Sequence, residues 1–147
     1  MGRHGIERRT AMRAFNIYLE EYDWMARIYV AVTHLDRKEV AQALAHIGCA
    51  GRELDKAYRQ LSGGAMNTGL CYTNRRERVS VMVIGMTDSA KEFLNSLMHE
   101  TGHLACHIAQ QFGISTEGEE ICYIMGDIAM KTYPKIRDLL CQHCRED

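Results

Sequence analysis

The sequence predicts an α+β fold, in which a small antiparallel sheet packs with helices in a single domain spanning 1–147. Three observations predict it. Residues 24–33, WMARIYVAVT, put Trp24, Ala26, Ile28, Val30 and Val32 on alternate positions, the period of a half-buried strand. Residues 68–73, TGLCYT, and 79–84, VSVMVI, flank the polar run Asn74-Arg75-Arg76-Glu77, as the arms of a hairpin flank its turn. A long stretch from Ser89 to Phe112 then lies between a capping residue and Gly113, the signature of one long helix.

The elements follow in chain order. Residues 1–20 are polar and basic with weak helical periodicity, and read as a frayed arm or a short helix. Asp36 caps a helix to about Ile47, and Gly48 suits the left-handed turn after it. A second helix, about Gly51–Leu61, stops at Gly63-Gly64. After the hairpin, Gly85 ends the second arm. Thr87, Asp88 or Ser89 caps the long helix, and Ser89 with Glu92 has capping-box spacing. A further helix, about 117–131, ends before Pro134, which cannot continue a regular helix without loss of a hydrogen bond. The tail, 135–147, has weak helical character, and no repeat or linker divides the chain.

Composition narrows the function. The 147 residues are 46% hydrophobic with a net charge of -1, which suits one core and supplies no global field to draw nucleic acid or an anionic membrane. The basic clusters Arg3/Arg8/Arg9/Arg13 and Arg75/Arg76/Arg78 read as solvated surface. No apolar run reaches the ~18 residues of a membrane span, and no apolar segment follows the basic N-terminus as in a secretory signal. The expectation is a cytoplasmic protein. Its six cysteines (Cys49, Cys71, Cys106, Cys122, Cys141, Cys144) are then thiols or metal ligands rather than disulfides.

The long helix carries His99-Glu100-Thr101-Gly102-His103. Residues four apart share a helix face, so two imidazoles can address one ion. Neutral imidazole suits zinc, which in catalytic sites keeps one position open for water. Glu100, beside the first ligand, can take a proton from that water and pass it to a leaving amine while the ion polarises a peptide carbonyl. With seven His in the chain, an HExxH arises by chance in roughly 3% of shuffles, so the helical setting decides in its favour.

Two histidines require a third protein ligand. Six residues after His103 stands Ala109, so no third histidine extends the motif. The candidates are Glu117, Glu119 and Glu120 on the next helix. Glu119 is preferred because Cys122, Tyr123 and Gly126 continue its face, and two of these are small enough for close helix approach. Glu120 would share a more crowded face, and Glu117 suits the helix's first turn as a partner of the dipole.

With its Glu sixteen residues after the second His, HETGH resembles the gluzincin branch of the zincin metallopeptidases, which includes thermolysin-like and ImmA/IrrE-like enzymes. Glu119 with Gly126 matches the Glu and the Gly seven residues on in thermolysin-like enzymes. Where those enzymes place an Asp four residues after the ligand, this chain has Tyr123. It is also similar to small HExxH proteins of bacteriophages and mobile elements that carry Glu-Glu-x-x-Tyr-x-x-Gly, here Glu119 to Gly126. The resemblance covers about 78–130 and implies a minimal zincin-like domain that hydrolyses peptides with one zinc. It also implies that strand 79–84 or its neighbour borders the cleft and pairs with an extended peptide. Tyr123 and His107 are candidates to stabilise the oxyanion. The alternative is a zincin-fold protein that holds zinc without turnover and acts as an interaction module.

Two other groups draw notice. His107 continues the four-residue spacing but has drifted about 80° from His99, a position for substrate contact or plain surface. Cys141-Gln142-His143-Cys144 is a CxxC at the tail, read as a pair of thiols unless Cys49, Cys71 or His46 completes a structural metal site.

Overall fold

The computed structural model of the chain describes residues 11–63 and 69–146. It is α+β, and its four strands form one sheet in the order β1-β2-β4-β3. The strands are β1 (Arg13–Leu19), β2 (Trp24–Val32), β3 (Gly69–Asn74) and β4 (Val79–Gly85). The helices are α1 (Arg37–His46), α2 (Gly51–Ser62), α3 (Ala90–Gln111), α4 (Glu119–Ile136) and the short α5 (Gln142–Glu146). No described helix is long and apolar enough to cross a membrane.

The expected hairpin is present, with β3 antiparallel to β4 and Thr73 opposite Ser80. The sheet as a whole is mixed rather than antiparallel. Its central pair, β2 and β4, runs parallel, because α1, α2 and β3 lie between them in the chain and carry it back to the same end. The N-terminal reading also needs correction. Residues 13–19 form a strand antiparallel to β2, with Ile17 and Leu19 buried on alternate positions; residues 1–10 lie outside the described part.

Both faces of the sheet are covered, and alternation along the strands sorts the side chains. Trp24, Ala26 and Ile28 of β2 and Met82 and Ile84 of β4 meet Phe93, Leu97, Leu104 and Ile108 of α3 and Ile121, Ile124 and Ile128 of α4. Val81 and Val83 of β4 point the other way, to Val40 and Leu44 of α1 and Leu61 of α2. Coverage on both sides is why VSVMVI reads as an almost unbroken apolar run. A bulge interrupts the β2–β4 register between Tyr29 and Val32, with Ala31 in left-handed backbone at φ 57. The extra residue reverses the facing of the strand. Val30 therefore belongs to the α3/α4 core and Val32 to the α1/α2 core, although both are even positions.

Gly48 takes φ 104 after α1, the left-handed turn expected there. Gly69 is a case of close approach, since a Cβ on it would lie 1.8 Å from the Val83 carbonyl oxygen. The Ser89 hydroxyl caps α3 by accepting from the Glu92 amide at 3.2 Å, while the Glu92 carboxylate accepts from the Asp88 amide.

Helix α4 continues through Pro134 instead of ending before it. Pro134 is exposed, so its missing N–H falls on the water side. Thr132 and Ile136 on the other side are buried and hold the last turn to the core. Arg13 of β1 also donates to the Lys135 carbonyl and grips Asp138 through two bonds, of 2.7 and 2.5 Å. The guanidinium holds the Asp138 carboxyl below its ordinary range. The Asp138 side chain is half exposed, so Arg13→Ala is expected to cost only about 0.5–1 kcal/mol near neutrality. A lowered carboxyl pKa means the stabilisation is present above the unfolded value and fades as pH falls through the folded one. Denaturant titrations of wild type and Arg13→Ala should therefore converge in acid; a constant gap at all pH would assign the effect to packing.

Candidate metal centre

Helix α3 owes its position to one broad apolar side. Phe93, Leu97, Leu104 and Ile108 recur at helical spacing, are buried, and seat the helix on the sheet. The motif lies at the edge of that side. His99 and His103 are exposed, while Glu100 and Thr101 are 2% exposed. The Nε2 atoms of His99 and His103 are 3.3 Å apart. With a Glu100 carboxylate oxygen they form a group whose ligand atoms all lie within 4.8 Å of one another, able to hold a metal ion. Burial pushes the Glu100 carboxyl up, partly offset by the two histidines.

Glu119, the third ligand expected from the sequence, is not among the grouped ligand atoms. Glu119 is the first residue of α4 and is exposed, as are Cys122, Tyr123 and Gly126 on its face. A Cβ on Gly126 would meet nothing within 4 Å, so this face makes no close helix approach. Helix α4 docks instead through Ile121, Ile124, Ile128, Thr132 and Ile136, a stripe at i, i+3, i+7, i+11 and i+15. It packs on α3 from the side of β1, whereas β3 packs on α3 from the opposite edge of the sheet. His107 faces β3, where it meets Thr73 and Cys71. Glu119 and Glu120 are accordingly not in the His99–Glu100–His103 group. Glu120 accepts a hydrogen bond from the Tyr22 hydroxyl at 3.2 Å, and Glu117 lies in the loop before α4. Tyr123 is 73% exposed.

His107 extends the row, its ring 6.3 Å from that of His103. Its Nδ1 lies 2.7 Å from the Thr73 hydroxyl and 4.0 Å from the Cys71 sulfur, both on β3. Burial, then Arg75 and His103, hold its pKa below the usual histidine value. Burial and then the Glu100 charge push the Cys71 thiol far up, so the sulfur stays protonated. A cavity of about 230 Å³ opens here, lined by Glu53, Cys71, Tyr72, Thr73, Arg75 and His107. Cys71 and Thr73 were not anticipated at the site. Their signal was in the hairpin, where i, i+2 spacing puts both on the face that α3 covers.

At the tail, the Cys141 sulfur accepts a hydrogen bond from the Cys144 amide at 3.4 Å. Cys49 is buried behind β3 in the α1/α2 core and Cys71 lies beside α3; neither joins Cys141 and Cys144 in a metal-holding group among the described residues. Helix α5 instead secures the start of α3. Gln142 accepts from the Ala90 amide at 2.8 Å, and Arg145 donates to the Thr87 hydroxyl and carbonyl.

No known protein family, characterised protein or solved structure matches the chain.

Proposed function

We propose that the protein is a zinc-dependent peptidase of the HExxH type, with zinc on His99 and His103 and Glu100 as general base. The observation that carries this reading is the histidine spacing. Two nitrogens bound at about 2.0–2.1 Å to one tetrahedral ion stand about 3.3 Å apart, and the two Nε2 atoms are 3.3 Å apart. Bound zinc would supply an activated water. Glu100 would take its proton, and burial, which raises its pKa, suits a base that must give the proton up again. The substrate is proposed to be an extended peptide lying along β3. That strand is an edge of the sheet and packs beside α3, so it can add a strand without disturbing the core.

A second reading keeps the zinc and drops the turnover. It draws on exposed apolar side chains on the two site helices: Leu94 and Met98 on α3, and Tyr123, Met130 and Tyr133 on α4. A protein that uses zinc to stiffen α3 could present that surface to a partner.

Zinc per chain tests the centre that both readings share. Wild type is expected to hold one zinc and the His99→Ala/His103→Ala variant none. Glu119→Ala is expected to lose far less affinity than either single histidine variant, because Glu119 stands outside the ligand group. A Glu119→Ala protein as metal-free as His99→Ala would instead mean that α4 rearranges around the ion. Zinc retained by the double-histidine variant would place the metal elsewhere.

A further inference from the structure

The edge of the sheet at β3 offers unpaired backbone. The Arg78 carbonyl accepts from the Met25 amide and the Met86 amide donates to the Val32 carbonyl, so the even positions of β4 face β2. The odd positions therefore bond β3, where Val83, Val81 and Val79 stand opposite Leu70, Tyr72 and Asn74. Gly69, Cys71 and Thr73 are left to turn their N–H and C=O groups to the open side. The Gly69 carbonyl has a partner there, the side-chain amide of Gln60 on α2, at 2.8 Å. Among the described residues, no group bonds the backbone of Cys71 or Thr73. The strand, GLCYTN, carries neither a charge nor a proline, the common means of closing an edge. Beside it, α2 leaves a crevice of about 180 Å³ with apolar walls of Leu44, Cys49, Ala57, Leu70 and Tyr72. Its charged lining is one Glu53 and one Lys56, both exposed and opposite in sign.

We propose that this crevice is a specificity subsite for one Leu, Met or Phe side chain of an extended peptide paired with Cys71 and Thr73, and that Gln60 ends the paired segment. The inference rests on the reading of β3 as the edge that takes the substrate. Residues directly opposite one another in a sheet put their side chains on the same face, whichever way the added strand runs. Peptide residues opposite Cys71 and Thr73 therefore face α3, where the side chains of these two meet His107. The residue between them stands opposite Tyr72 and faces the α1/α2 side, into the crevice. A cavity of roughly 150 Å³ takes a benzene ring, so the crevice has room for one such side chain. A charged side chain gains little beside a Glu and a Lys that offset each other. At Gly69 the Gln60 amide makes the bond that a further peptide residue would make, and pairing stops there. At the other end Asn74 leads straight into the turn. The edge thus reads three residues, of which the middle one is apolar.

Peptide binding to the metal-free full chain tests the subsite without reference to turnover. The probes are the capped peptide Thr-Ala-Leu-Ala-Thr and its counterparts with Ala or Lys at the centre, titrated while backbone amide signals are followed by NMR. The Leu peptide should shift the Cys71 and Thr73 amides, slow their hydrogen exchange, and bind at least about tenfold more tightly than the other two. Ala57→Phe, which fills the crevice, should abolish that preference. Two further Thr residues at each end should add no affinity in wild type and should add it in Gln60→Ala, where the Gly69 carbonyl is released. Equal binding of the three peptides, binding that leaves the Cys71 and Thr73 amides unmoved, or no binding at all would each overturn the proposal, and these outcomes need no variant to fold. Cleavage by the zinc-loaded protein separates this inference from the reading beneath it. Hydrolysis of a peptide library with no apolar preference would keep the peptidase and remove the subsite. A Leu-selective edge in a zinc-loaded protein that cleaves nothing would keep the subsite and remove the peptidase.

Discussion

Glu100→Gln is expected to lose about 10²–10⁴-fold in peptide hydrolysis while keeping its zinc. Two roles compete for this carboxylate. It lies in the same small group as the two Nε2 atoms, so it could bind the ion directly, or it could stand beside bound water and take its proton. A carboxylate spent on the metal is not free as a base. Replacing it with an amide separates the roles, because an amide of the same shape cannot accept a proton and is a poor zinc ligand. Zinc retained with activity gone is the result expected for a base. Zinc and activity lost together would make Glu100 a ligand. Hydrolysis that persists in a clean preparation would remove it from the mechanism. The fold itself should not suffer. Burial already disfavours the charged carboxyl, so the metal-free variant should melt no lower than wild type.

How much of this was legible in the sequence depends on whether the signal was local. The helix of the motif, its Ser89 cap and the strand at β2 rest on spacing and on neighbours a few residues away, and they stand where the sequence puts them. Strand β1 was legible in part. Phe15, Ile17 and Leu19 alternate, but over residues 1–20 they are outnumbered by polar residues, and a broad window blurs them. Parallel pairing of β2 with β4 leaves no local mark, since it follows from the route of the chain through α1 and α2. The facing of α4 was the costly case. Small residues beside Glu119 suggested a close helix approach, yet the isoleucines at 121, 124 and 128 carried the stronger signal. Apolar area drives docking, and small size only permits it. The β3 side of the site lay beyond local reading altogether, because Thr73 meets His107 across 34 residues of sequence.

Leu104→Ala joins the site to the core and is expected to have the largest effect on stability. Leu104 follows the second histidine directly and is fully buried between α3 and the sheet. Truncating such a leucine costs about 2–5 kcal/mol, through lost burial and the void left behind. For a chain of this size, that lowers the metal-free melting temperature by roughly 6–15 °C. The zinc-loaded protein should behave differently. An ion that binds the folded chain and not the unfolded one adds about 4 kcal/mol at a thousandfold excess over its Kd. Zinc should therefore raise wild type and Leu104→Ala by similar free energies, provided the leucine seats the helix without shaping the ligand spacing. Calorimetry with and without zinc gives both numbers. Equal zinc increments would show a ligand pair set by the helix alone, since His99 and His103 lie one turn apart whatever is packed beneath them. A much smaller increment in the variant would show that the 3.3 Å spacing of the two nitrogens depends on the packing under α3, and that the core holds the centre in register.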